Sequence, residues 1–408
     1  MTPKGKTRRT VTVGLCAAAM AAALTGPAQA GSPPGPGAAT STGTAKALIA
    51  TGTATGAALT PAGAAATARG RGGSVPRTAA VRWNLTETGT DARFRGLAAV
   101  DRATAWVAGS RGTVLRTTNG GRDWRDVSPP GAEGLEFRDV EAFDTRRAVV
   151  LAIGPGDASR VLRTTDGGAT WTETFKNTDP RAFYDCVTFF DRRNGLALSD
   201  PVDGRYRILA TRDGGATWTV LPSAGMPPAR EGDSAFAASG QCLVSAGPRD
   251  VWLATGGGPS ARVLRSGDRG LTWSVAETPV PAGDPARGVF AVAFRDRHHG
   301  IAVGGDYRGG QPSPRAGAVT RDGGRSWQPS TTPPPAYRSG AAWLPGSRSA
   351  ALAVGPTGTD LTRDGGRTWR TVDGGSYDTV ECAPRGGCWA SGEKGRVARL
   401  DTARLTPG

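Results

Sequence analysis

The sequence predicts an all-β protein, a seven-bladed β-propeller, and three observations carry the prediction. An eight-residue phrase recurs six times, a strand-opening aromatic recurs seven times, and a lone strand near residue 83 matches the piece the last repeat lacks. Self-similarity at a period in this range signals a solenoid, a propeller or an array.

The phrase reads TTNGGRDW ending at Trp124, TTDGGATW at Trp171, TRDGGATW at Trp218, SGDRGLTW at Trp273, TRDGGRSW at Trp327 and TRDGGRTW at Trp369. Its third residues, Asn119, Asp166, Asp213, Asp268, Asp322 and Asp364, lie 47, 47, 55, 54 and 42 residues apart. Short β-type runs precede it, such as Val114-Leu115-Arg116 and Val263-Leu264-Arg265, and another extended stretch follows each Trp. An Asp or Asn side chain hydrogen-bonds nearby backbone amides, and Gly supplies the positive φ of a tight hairpin. The Trp is a large apolar plug for the seam between neighbouring sheets. The phrase is therefore a strand-hairpin-strand staple with a structural role. It resembles the Asp-box (BNR) motif of β-propellers, whose hairpins sit on the rim.

Seven aromatics open the innermost strands: Phe94, Phe137, Phe183, Phe236, Phe290, Tyr337 and Tyr377. Second strands follow, such as Ala105-Trp106-Val107-Ala108-Gly109 and Ile301-Ala302-Val303-Gly304. The seventh repeat stops after its third strand, Val397-Ala398-Arg399-Leu400. The missing outer strand is expected at Arg82-Trp83-Asn84-Leu85-Thr86, where Trp83 stands in the place of a phrase Trp. Closing the last blade with an N-terminal strand removes the free edges of the ring.

The ends are expected to differ from the propeller at 81–408. Residues 1–30 read as a signal peptide: Lys4, Lys6, Arg8 and Arg9 form a basic start, Val11 to Leu24 an apolar run, and Ala28-Gln29-Ala30 a cleavage site. The Arg8-Arg9 pair allows the twin-arginine route. Residues 31–80 are Ala, Gly, Thr, Ser and Pro with almost no large apolar residue, the composition of a disordered linker. Beyond them no apolar run is long enough to span a membrane. The mature chain is expected to be secreted or extracytoplasmic and a monomer.

The formal charge is +15, but four cations fall in the signal and four in the linker, leaving about +7 on residues 81–408. Nearly all of those cations are Arg, which suits anionic partners. No nucleic-acid motif is visible, and export makes nucleic acid an unexpected partner. Cys186, Cys242, Cys382 and Cys388 survive processing, an even count that fits disulfides. Cys382 and Cys388 flank a turn, Ala-Pro-Arg-Gly-Gly, and Cys186 and Cys242 fall in consecutive repeats where pairing remains open. No Cys/His cluster suggests a metal, no cofactor is expected, and His298 and His299 read as loop residues.

A propeller binds at its central funnel, which the entrances of the innermost strands line. The candidate binding residues are therefore Arg95, Arg138, Asp139, Tyr184, Asp185, Arg287, Arg338, Tyr377 and Asp378, with Arg181 just before the third entrance. A ring of guanidinium groups beside aromatics suits a planar anion, either a small anionic ligand or a partner's acidic segment. The competing reading is that the arginines pair with Asp139, Asp185 and Asp378 across blades and lock the ring.

The aromatic-Arg-Gly/Asp entrances, the seven blades and the degenerate Asp boxes resemble the photosystem II stability/assembly factor family over 81–408. That resemblance implies a non-catalytic extracytoplasmic propeller that helps assemble a membrane complex through an arginine-rich face, here Arg95, Arg138 and Arg338. Some bacterial relatives of this kind are labelled oxidoreductase. Two enzymatic alternatives stand beside it. Sialidase-like glycoside hydrolases carry Asp boxes, and Phe94-Arg95 matches the start of their Phe-Arg-Ile-Pro motif before Gly96-Leu97 breaks it. A retaining pair of carboxylates would have to come from Asp139 and Asp185. A redox enzyme is the other alternative, although no dinucleotide fingerprint or haem motif appears.

Overall fold

The computed structural model describes residues 81–309 and 312–400, so residues 1–80, expected to be a signal peptide and a linker, lie outside the described residues. Its 28 strands form seven four-stranded antiparallel sheets, the blades of a seven-bladed β-propeller. The innermost strands, in blade order, are Phe94–Ala99, Glu136–Ala142, Tyr184–Phe189, Leu243–Ala246, Arg287–Phe294, Gly340–Trp343 and Thr379–Cys382. Blade 7 takes its outer strand from the other end: Trp83–Thr86 pairs with Val397–Leu400, Trp83 opposite Leu400 and Thr86 opposite Val397.

The repeated phrase does two mechanical jobs. Its leading Thr or Ser is buried, and that hydroxyl accepts the N–H of the second Gly, at 3.0 Å in Gly121 and 2.9 Å in Gly215. The Asp carboxylate takes the hairpin: Asp322 accepts the N–H groups of Arg325 and Ser326 at 3.0 Å and the Ser326 hydroxyl at 2.6 Å. The glycine φ values, such as +82° at Gly215, are the left-handed ones only Gly adopts freely. The Trp then does the packing.

Seven clusters of buried side chains fill the seven seams, and in six of them a phrase Trp is either a member (Trp273, Trp327, Trp369) or packs partly buried against it (Trp124, Trp171, Trp218). Trp83 fills this place for blade 7, packed with Leu352, Val354 and Leu361 of blade 6. The opening aromatics Phe94, Phe137 and Tyr377 are buried in the seams, whereas in blade 3 the strand starts one residue after the expected Phe183 and it is Tyr184 that is buried there. Burying a side chain of this size contributes roughly 1.5–3 kcal/mol, so the ring is held mainly by its seams.

Two disulfides close the cysteine question. Cys382 and Cys388 face each other across the blade 7 hairpin with Cα atoms 4.0 Å apart, and Cys186 joins Cys242 at 6.1 Å. Among the described residues, no helix is long and apolar enough to cross a membrane.

Blade 4 departs from the sequence expectation. Its innermost strand starts at Leu243, seven residues after the aromatic Phe236 that was to open it. Residues 237–242 instead cross the central channel. Gln241 donates Nε2–H to the Val380 carbonyl in blade 7 at 2.8 Å and accepts the Ala341 N–H of blade 6 at 2.7 Å. Its carbonyl accepts the Val292 N–H of blade 5. Ser239 donates to the Ser339 carbonyl at 2.6 Å, and Cys242 is tied to blade 3. The backbone groups that leave the ladder find their partners in other blades, as buried polar groups must. With the Ala237 carbonyl accepting Arg138 Nη1–H of blade 2, this one segment plugs the channel and links five blades to its own.

Candidate functional site

Strand alternation sorts the entrance residues. In blade 1 Phe94 turns into the seam, so Arg93 and Arg95 share the opposite face; in blade 2 Phe137 does the same, leaving Glu136 and Arg138. A register shift recurs at the same point: the ladder skips Arg95 in blade 1, Arg138 in blade 2, Asp185 in blade 3 and Phe290 in blade 5. A bulge of this kind leaves its extra residue unpaired and re-aims the side chain. That is how Arg95 and Arg138 are directed to the channel mouth.

The mouth is built around Asp378 of blade 7. Arg93 holds it through two hydrogen bonds of 2.7 Å, from Nε and Nη2. Arg95 stands 3.9 Å from the same carboxylate and makes no side-chain hydrogen bond among the described residues; its Nε is buried without a partner. Its side chain is 13% exposed, and burial, only partly offset by Asp378, lowers its pKa. Arg138 gives Nε–H to Glu136 at 2.9 Å and Nη1–H to the Ala237 carbonyl of the plug at 2.9 Å. Burial raises the Glu136 pKa against the pull of Arg95 and Arg93. Tyr337 of blade 6 is buried, packed edge-on against Phe290 with ring centroids 4.7 Å apart, and burial raises its pKa ahead of the effects of the Arg95 and Asp378 charges.

The remaining predicted residues are dispersed. Arg338 is 1% exposed, closed against Asp360 at 2.7 Å and against the Tyr337 carbonyl and Thr357 hydroxyl. Tyr184 packs against Phe175 and Tyr377 against Trp83, both in seams. Arg287 sits on blade 5, half-exposed, in an ion pair of 3.0 Å with Asp306. Arg181 is an exposed partner of Asp179 and Asp203. The residues that sequence reasoning missed are Arg93 and Glu136. Counting by two from the named arginines would have found both.

Below the mouth lies an acidic interior. Asp139 accepts the N–H groups of Val187 (2.7 Å) and Val140 (2.8 Å), yet burial pushes its carboxyl up to about 7. Burial likewise pushes Glu381 up to about 8 despite the Ala99 N–H at 2.8 Å. Glu141 is raised well above the ordinary range by burial and by the nearby Glu381 and Asp139 charges. Asp185 is raised by burial and by Asp200. The two carboxylates considered for a hydrolase pair are therefore both buried, Asp139 under the plug and Asp185 beside Asp200.

These shifts fix a pH response. A carboxyl with a raised folded pKa stabilises the fold fully below its unfolded pKa near 4 and loses that contribution as pH rises through the folded value. Asp166 acts in the other direction: hydrogen bonds from Thr170 hold it at about 2, a contribution lost only as pH falls below about 4. Melting temperature is expected to fall steadily between about pH 5 and pH 9. Asp139→Asn should flatten that slope, and a slope unchanged by the substitution would remove Asp139 as its source.

Comparison with known proteins places this geometry among propellers. No family model matches the chain, and no curated protein matches it. Solved structures do. YCF48 bound to D1 peptide aligns with a TM-score of 0.55 at 16% identity over 78% of this chain and 96% of that one. A streptogramin B lyase structure aligns with a TM-score of 0.57 at 12% identity, covering 79% and 98%. The GH74 enzyme of Niastella koreensis gives 0.52 at 13% identity, covering 77% of this chain and 53% of that one. At these identities the likeness is one of fold.

Proposed function

We propose that the protein is an exported, non-catalytic binding propeller that captures an acidic peptide segment at the mouth formed by Arg93, Arg95 and Arg138. The observation that carries the reading is the state of Arg95. A nearly buried guanidinium with no hydrogen bond keeps its planar fork open, and that fork matches a carboxylate. Three arginines face Glu136 and Asp378 there, so the mouth retains a net positive charge. A neighbour in fold is described with a bound peptide, and the assembly-factor resemblance of the sequence points the same way. The plug closes the channel behind the mouth and suits it to an extended segment lying across the surface. The two disulfides accord with an extracytoplasmic site of action.

The test is binding of a fluorescent acidic peptide with a free C-terminal carboxylate, followed by anisotropy. Affinity is expected to fall steeply with salt, since partly exposed pairs are screened over about 8 Å at physiological ionic strength. Arg95→Lys keeps the charge but loses the fork, and should weaken binding about tenfold. Equal affinity of Arg95→Ala and wild type would overturn the assignment.

A further inference from the structure

The inner strand of blade 2 that begins near Arg138 ends at Ala142, and beyond it lies a second basic site remote from the mouth. A cavity of about 310 Å³ opens at the seam of blades 2 and 3. Its walls carry four arginines: Arg147, Arg163, Arg192 and Arg193. Arg147 and Arg192 share Asp144, at 2.5 and 3.7 Å. Asp213, also in the wall, already accepts the Thr211 and Thr217 hydroxyls and the Thr217 N–H. Arg163 gives Nε–H to the Gly214 carbonyl and Arg193 to the Arg212 carbonyl, and neither pairs with a carboxylate among the described residues. Four cations against two acids leave the cavity with an excess of two positive charges.

We propose that this cavity binds a phosphomonoester. Near neutral pH such a group carries close to two negative charges and three strong acceptor oxygens, which matches the excess. Guanidinium forks are suited to phosphate oxygens because two parallel N–H groups meet them at once. The space exceeds a phosphate group alone and leaves room for the organic part of the ligand. Arg163 is fixed by the hairpin of the next blade, while Arg192 and Arg193 line the cavity from an exposed turn.

The experiment is calorimetric titration of the full chain with glycerol 3-phosphate, with inorganic phosphate and sulfate as comparisons. Saturable binding of glycerol 3-phosphate is expected. The double variant Arg192→Ala/Arg193→Ala, on an exposed turn, should weaken it at least about tenfold without moving the melting temperature, and Arg95→Ala should leave it unchanged. Absence of saturable binding overturns the proposal, as does binding that survives the double variant or is lost in Arg95→Ala instead. Vesicles containing phosphatidic acid form a separate arm. Vesicle binding without glycerol 3-phosphate binding would assign the site to a membrane surface and overturn the small-ligand reading.

Discussion

Deletion of residues 81–88 is expected to abolish cooperative unfolding of the whole ring. The deletion removes the strand Trp83–Thr86, exposes Val397–Leu400 as an open edge and strips Val81 and Trp83 from the seam between blades 6 and 7. An unpaired edge in a ring is also a template for aggregation. The narrower substitution Trp83→Ala isolates the seam: Trp83 is 7% exposed, packs on Tyr377 with ring centroids 5.4 Å apart, and donates to the Thr359 hydroxyl at 3.0 Å. Loss of a buried Trp costs about 3–5 kcal/mol. Denaturant unfolding followed by circular dichroism checks both. A deletion variant that keeps the wild-type midpoint and slope would show that the ring closes without its N-terminal strand.

Arg338→Ala is expected to destabilise the protein by about 3–5 kcal/mol, because removing one partner of a buried pair strands the other charge. Arg338 and Asp360 are 1% and 0% exposed at the side chain, joined at 2.7 Å. Asp360 would keep only the Thr371 hydroxyl at 2.7 Å. Replacing the pair together, Arg338→Met with Asp360→Leu, should recover much of the loss, since apolar groups of similar volume need no compensating charge. Peptide binding by that double variant should match wild type. A midpoint of Arg338→Ala close to wild type would mean that the pair is not the lock its burial implies, and lost peptide binding in the double variant would return Arg338 to the mouth.

The blades were legible in the sequence because their signals are local. A Thr-x-Asp-x-Gly-x-x-Trp hairpin is specified within eight residues, by hydrogen bonds donated to the carboxylate of Asp322 or its equivalents and by glycines of positive φ. Seven openings against six phrases implied the strand at Trp83, and the observed pairing of Trp83 with Leu400 follows from that count. The seam role of the tryptophans was legible for the same reason: one large apolar side chain per repeat must go to the surface its repeat shares with the next.

The candidate site was legible only in part. Arg95 and Arg138 were identifiable as recurring arginines at strand entrances, but Arg338, at the matching position of blade 6, goes to a buried carboxylate instead. The difference rests on Asp360, which its own sequence neighbourhood does not mark as a partner. Tyr184 and Tyr377 go to the seams because alternation gives one face of each entrance to packing, and in blade 3 the bulge after Tyr184 sets which face. The plug had no sequence signal beyond the irregular length of blade 4. Its contacts join residues about a hundred positions apart, such as Arg138 with Ala237 and Gln241 with Ala341. Sequence by itself determined the repeat, the blade count, the closure and the residue types at the mouth, since each depends on neighbours within one hairpin or one blade. Tertiary structure alone decided which arginines stay open and that the channel is closed, because both depend on what seven separate blades bring to a single axis.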